Sequence, residues 1–96
     1  MNEIRIKALQ LGLASLPVDE ADRDSIRQVD ASTEFYTFIE SKISPEAYAE
    51  CEDFGAHATL EESIVKCLSK IGLNIHSCYE TVGEGIRWQL SQLEKE

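Results

Sequence analysis

Residues 59–72 read Thr-Leu-Glu-Glu-Ser-Ile-Val-Lys-Cys-Leu-Ser-Lys-Ile-Gly and carry the clearest structural signal in the chain. Thr59 and Glu62 have the spacing of a capping box, in which each side chain pairs with a backbone donor of the first turn. Gly72 supplies the left-handed residue with which many helices end. The apolar residues between them recur at helical spacing on one face: Leu60, Ile64, Cys67, Leu68 and Ile71. The stretch therefore predicts an amphipathic helix.

The N-terminal segment predicts another helix, over residues 2–16, that ends before Pro17. Its apolar residues form two nearly opposite faces, one with Ile4, Ala8 and Leu11 and the other with Ile6, Leu9, Leu13 and Leu16. A helix that is apolar on both sides must be covered on both. We expect a central helix packed between the others. The alternatives are a homodimer formed through residues 4–16 and a short initial strand.

Residues 18–43 combine an acidic segment with a more regular helical pattern. The acidic segment, 18–30, suits either a helix from Asp19 or a helical turn within a loop. Its only residues suited to a core are Val18, Ala21, Ile26 and Val29. Residues 32–43 predict a helix, capped by Asp30 or Ser32, that buries Phe35, Phe38, Ile39 and Ile43. The two segments are either separate or continuous.

Ser44 and Pro45 predict the start of the next helix, because proline suits the first helical position, where its missing donor costs nothing. This helix ends at Gly55. It turns Ala47, Tyr48, Cys51 and Phe54 inward and Glu46, Glu50, Glu52 and Asp53 outward.

Residues 73–96 fit two structures. A capping box of Ser77 and Glu80 predicts a helix whose apolar stripe includes Cys78, Tyr79, Val82, Ile86, Leu90 and Leu93. Trp88 lies off this stripe. The rival is a β-hairpin within residues 73–91. We therefore expect a single all-α domain over residues 1–96, a small bundle of four or five helices, with an α+β fold as the alternative.

The net charge of −9 is concentrated in the middle of the chain. Residues 19–62 hold 13 acids against 3 basic residues, a net charge of −10, whereas the two flanks together contribute +1. Such a field opposes direct binding of nucleic acid or an anionic membrane, and it speeds association with a basic partner.

No apolar run reaches the roughly 18–20 residues that a membrane span needs. The N-terminus lacks the features of a signal peptide. The odd number of cysteines, Cys51, Cys67 and Cys78, fits reduced thiols. We expect a cytoplasmic protein.

No pattern of catalytic or metal-ligating residues stands out. Cys51, His57, Cys67, His76 and Cys78 have no standard zinc spacing. The numerous carboxylates fall on predicted exposed faces, where nothing drives their pKa values apart as acid–base catalysis requires. The segment from Asp22 lacks the third ligand and the glycine of a calcium loop. We expect no enzyme activity, no cofactor and no bound metal.

Two functions fit these features. The first is a protein–protein interaction domain with an inhibitor, immunity, antitoxin-like or nucleic-acid-mimic role, whose acidic surface binds a basic protein. The second is a homo-oligomeric helical domain that binds a small apolar ligand between its helices. Charge and predicted exposure nominate these partner-binding residues: Asp19, Glu20, Asp22, Asp24, Glu34, Glu46, Glu50, Asp53, Tyr36, Tyr48 and Trp88.

Overall fold

The computed structural model describes residues 2–52, 59–75 and 81–95. Within these ranges the chain forms five α-helices and no strand. They are α1 (Asn2–Ser15), α2 (Ile26–Glu40), α3 (Pro45–Glu52), α4 (Leu60–Ser69) and α5 (Val82–Glu94), with a short 3₁₀ helix at Glu20–Asp22 before α2. The all-α prediction is confirmed, and the β-hairpin alternative is wrong because α5 occupies most of the proposed hairpin.

Helix α1 is the centre of the fold. It packs against α2, α5 and α4, so both of its apolar sides are covered within one chain. Ala8 and Leu9, which belong to its two different faces, are fully buried. This confirms the expected central helix, and the initial strand is excluded. The homodimer through residues 4–16 is not tested by the contacts within one chain and stays a prediction.

One core cluster draws residues from all five helices and from Leu73 beyond α4. Its largest members are Phe35, Leu9, Ile39, Ile64, Leu68 and Ile86. Phe38 is only partly buried, with the ammonium groups of Lys7 and Lys42 5.3 and 5.4 Å from its ring centroid. These two cations shield the rim of the core.

Helix α4 begins and ends where its sequence predicts. The Thr59 hydroxyl accepts a hydrogen bond from the Glu62 amide at 3.1 Å. Gly72 adopts φ +86°, and the amides of Gly72 and Leu73 donate to the carbonyls of Ser69 and Leu68. These are the two bonds of a Schellman motif. Residues within about one turn of each end therefore determine where α4 begins and ends.

Helix α2 begins earlier than the sequence pattern predicts. Its N-cap is Ser25, whose hydroxyl accepts from the Gln28 amide at 3.1 Å, so neither Asp30 nor Ser32 is the cap. The buried residue near this end is Gln28, whose amide nitrogen donates to the Ser15 carbonyl at 2.7 Å. The prediction that Val18, Ala21, Ile26 and Val29 reach the core is wrong, because all four are exposed.

The starts of α3 and α5 are both marked by hydroxyl side chains that accept backbone hydrogen bonds. The Ser44 hydroxyl accepts from the Ala47 amide, and Pro45 is the first residue of α3 as predicted. Helix α5 is capped by Thr81, whose hydroxyl accepts from the Glu84 amide at 3.1 Å. The predicted cap at Ser77 and the predicted helix end at Gly55 lie outside the described residues.

Candidate functional site

The carboxylates of the middle segment are mostly exposed and unneutralised. Between residues 19 and 62 the described side chains include 11 acids and 3 basic residues, a net charge of −8. Nine of the 11 acids are exposed, the exceptions being Asp22 and Glu61. The described residues form two salt bridges, Asp22 with Arg27 and Glu50 with Lys70. The acidic surface is therefore not cancelled by the protein's own cations.

Of the four nominated acids before α2, Asp22 has a structural role. Its carboxylate accepts from the Val18 amide, the Ser25 hydroxyl and the Arg27 guanidinium. These bonds, led by the one from Arg27, hold the pKa of Asp22 well below its ordinary value. The same guanidinium donates to the carbonyls of Ala14 and Leu16 at the end of α1. Asp22 and Arg27 thus join the end of α1 to the start of α2.

The other three acids of this segment are exposed. Asp19 caps the 3₁₀ helix by accepting from the Asp22 amide at 2.9 Å. Asp24 has a left-handed backbone, φ 62°, and its amide donates to the side-chain oxygen of Gln28. Glu20 lies in the first turn of the 3₁₀ helix. Their carboxylates face solvent, although the backbone around them is held in place.

The outward side of α2 forms a continuous exposed strip, here called the α2 face. Its members recur at helical spacing and are all exposed: Ile26, Val29, Asp30, Thr33, Glu34, Thr37 and Glu40. Ile26 is 82% exposed and Val29 47%. The strip spans about 21 Å at 1.5 Å per residue. It joins two exposed apolar side chains to three carboxylates.

Two of the nominated aromatic residues, Tyr36 and Tyr48, line a groove of about 500 Å³ beside the α2 face. This tyrosine groove is lined by Thr33, Tyr36, Thr37, Glu40, Tyr48 and Ser63, from helices α2, α3 and α4. The Tyr36 hydroxyl donates to the Ser63 hydroxyl at 2.8 Å, and its ring meets Phe35 edge to face. Burial raises the pKa of Tyr36 above its ordinary value. Tyr36 is thus a fixed wall of the groove.

A second depression, of about 290 Å³, continues from the tyrosine groove toward the start of α2. Both are lined by Thr33 and Tyr36, and the second also by Asp24 and Val29. The α2 face therefore borders two depressions that share Thr33 and Tyr36. Their linings include the carboxylates of Glu40 in the first and Asp24 in the second, where Arg23 adds a guanidinium.

The remaining nominated residues are distributed over other elements. Glu46 and Glu50 are exposed on α3, and the hydrogen bond from Lys70 lowers the pKa of Glu50. Trp88 is 47% exposed on α5, off the buried stripe as the helical interpretation predicts. It does not line the tyrosine groove. Asp53 lies outside the described residues.

The described residues contain no group of three or more His, Cys, Asp or Glu side chains arranged to hold a metal ion. Cys51 and Cys67 are buried in the core cluster. His57, His76 and Cys78 fall outside the described ranges. Within the part of the chain that the structure describes, none of the helices has the length and apolar character needed to cross a bilayer.

Sequence reasoning missed Ile26, Val29 and Ser63 as members of the site. The apolar character of Ile26 and Val29 predicts that they belong to the core, and Ser63 becomes relevant only once α4 lies beside α2. Comparison of the chain with protein-family models, with curated proteins and with solved structures gives no match.

Proposed function

We propose that the chain is a non-enzymatic protein–protein interaction domain that binds a basic partner through the α2 face and the adjoining tyrosine groove. The observation that carries the proposal is the α2 face itself. Ile26 and Val29 are exposed beside Asp30, Glu34 and Glu40, and none of these acids forms a salt bridge with a described residue.

This combination supplies the two components of a specific interface. Apolar and aromatic side chains provide most of the affinity once water is excluded from them. Charged side chains around them speed encounter and reject partners of the wrong sign. Ile26, Val29 and Tyr48 are the proposed anchors, and the carboxylates of the α2 face are the charged surround.

The partner that fits this surface is a basic protein segment with apolar residues interspersed among its lysines and arginines. An inhibitor, an immunity or antitoxin-like protein, or a mimic of nucleic-acid charge would use such a surface. Direct nucleic-acid binding is disfavoured because the local charge has the same sign as phosphate. The packing of α1, α2 and α4 gives no support to the alternative, an apolar ligand between these helices. Where α1, α2 and α4 meet, even a methyl group on Gly12 would lie 3.3 Å from Phe35.

Affinity capture from the native lysate with three baits tests the proposal. The baits are the wild type, the α2-face variant Asp30→Asn/Glu34→Gln, and the control variant Glu3→Gln/Glu94→Gln. Both variants lose two exposed carboxylates, so they have the same net charge. Mass spectrometry identifies the proteins retained by each bait.

We expect basic proteins that bind the wild type and the control variant but not the α2-face variant. Equal loss from both variants would show that total charge rather than the α2 face matters. Partners that are acidic or neutral would reject the proposal directly.

A further inference from the structure

A groove of about 600 Å³ lies between the end of α1 and the start of α5. Arg23, Arg27 and Arg87 line it, which are three of the chain's four arginines. The chain as a whole carries a net charge of −9, so a groove lined by three arginines has a local charge opposite in sign to that of the molecule. We call this site the arginine groove.

The three arginines differ in how they are held. Arg27 is committed to Asp22 and to the carbonyls that end α1. Arg23 and Arg87 are exposed, and neither forms a salt bridge within the described ranges. The Arg87 guanidinium folds back over the first turn of α5, with Nη1 3.6 Å from the position that a Cβ of Gly83 would take. Two guanidinium groups are thus open to a ligand.

The rest of the groove is largely apolar. Leu13 and Leu16 of the α1 end approach Gly83 closely, with side-chain carbons 3.7 to 3.9 Å from the same Cβ position. Val18 and Val82 also line the groove, and Val18 is 81% exposed. Among the lining residues that the structure describes, Glu61 is the one carboxylate. The groove therefore combines two exposed guanidinium groups and one carboxylate with a largely apolar lining.

We propose that the arginine groove binds a small organic anion, a carboxylate or phosphate group carried on a short apolar body. A guanidinium forms paired hydrogen bonds with either anion, and the apolar floor would cover the body of the ligand. The volume lies within the range of about 300–1,000 Å³ that is usual for small-molecule sites. The proposal rests on the arginines and not on the acids of the α2 face. Arg23 also lines the depression beside the α2 face, whereas Arg87 does not, so Arg87 separates this proposal from the proposed function.

Calorimetric titration of the full chain tests the proposal with four probes: hexyl phosphate, hexanoate, hexanol and inorganic phosphate. Hexyl phosphate or hexanoate should bind more tightly than both hexanol and inorganic phosphate, because only they combine a charge with an apolar body. The tighter of these two anions identifies the head group. The proposal would be overturned if hexanol bound as tightly as both anions. It would also be overturned if neither hexyl phosphate nor hexanoate bound.

Matched variants locate the binding. Arg23→Gln and Arg87→Gln should each weaken binding of the tighter anion about tenfold, the effect of losing one charge-assisted hydrogen bond. Lys95→Gln removes the same charge from the far end of α5 and should leave the affinity unchanged. Circular dichroism verifies folding of each variant. Unchanged affinity in both arginine variants, or an equal loss in Lys95→Gln, would overturn the proposal.

Discussion

Gly72 lies three residues after the last residue of α4 and completes the Schellman motif there. Its φ of +86° lies in the left-handed region, where a side chain is strained. The Arg5 side chain comes close, with Nη2 3.0 Å from the position of an added Cβ and Nε donating to the Ile71 carbonyl. An arginine of α1 therefore supports the C-terminal end of α4.

We predict that Gly72→Ala lowers the free energy of unfolding by about 1 to 2 kcal/mol, because alanine is strained in the left-handed region. Urea denaturation measures the loss. Repeating the substitution in an Arg5→Ala background separates the two causes. Most of the loss should persist there, and its disappearance would show that contact with Arg5, rather than backbone strain, is responsible.

Asp22 is the residue whose titration should be visible in the stability of the fold. Its folded pKa lies below the ordinary value of 3.8, mainly because Arg27 donates to the carboxylate. The ionised form therefore stabilises the fold in full above the ordinary pKa. That contribution falls as the pH drops below 3.8 and is lost as the pH passes through the lower folded pKa.

Urea denaturation between about pH 7 and about pH 2 tests this expectation. The stability difference between wild type and Asp22→Asn should be largest at neutral pH and should shrink as the pH falls below 3.8. Glu34→Gln, which removes a carboxylate without a described salt bridge, provides the control. A difference between wild type and Asp22→Asn that stays constant with pH would contradict the role assigned to this carboxylate.

At the scale of elements, the packing of α1 against α2 and α4 depends on Gly12. A Cβ there would lie 3.3 Å from Phe35 and 3.4 Å from Ile64, two fully buried side chains that would have to shift by a few tenths of an ångström. Gly83 provides the comparison. The atoms nearest to a Cβ added there would be 3.6 to 3.9 Å away, an ordinary contact distance. The same substitution should therefore have opposite effects at the two helical sites.

We predict that Gly12→Ala destabilises the fold by about 1 kcal/mol, because overpacking outweighs the gain in helix propensity. Gly83→Ala should stabilise it by about 0.5 to 1 kcal/mol. Thermal and urea unfolding of the two variants measure these changes. Stabilisation by Gly12→Ala would show that the junction of α1, α2 and α4 is looser than the distances indicate.

The elements that could be predicted from sequence are those whose ends are set by nearby residues. Thr59, Gly72 and the pair Ser44 and Pro45 each act within one turn, so spacing alone locates them. The start of α2 could not be placed in this way. Ser25, Asp30 and Ser32 are all good caps, and Ser25 is the one the fold uses.

Burial near the start of α2 was harder to predict than helix position. Gln28 is buried because it donates to the Ser15 carbonyl, a contact that exists only once α1 and α2 have packed, while its side-chain oxygen accepts from the nearby Asp24 amide. The same orientation of α2 leaves the side chains of Ile26 and Val29 exposed to solvent. Residue type predicted the opposite, since it carries no information about which side of α2 meets α1.

At the scale of the whole molecule, charge is separated by location. Acids line the α2 face, whereas three arginines converge between α1 and α5. Composition predicted the acidic surface, because residues 19–62 hold most of the carboxylates. It could not predict the arginine groove, since Arg23 and Arg87 are 64 positions apart in sequence and line the same groove only once α5 packs on α1.

The central claim is that the α2 face selects a basic partner by charge. The most direct test is the rate of association with the basic protein captured above, measured from about 50 to about 500 mM salt, where the Debye length shortens severalfold. The wild-type and Glu3→Gln/Glu94→Gln rates should fall at least about tenfold over this range, and Asp30→Asn/Glu34→Gln should show a slower rate with a shallower salt dependence. A wild-type rate that does not change with salt, or an α2-face variant that matches the control variant, would contradict the claim.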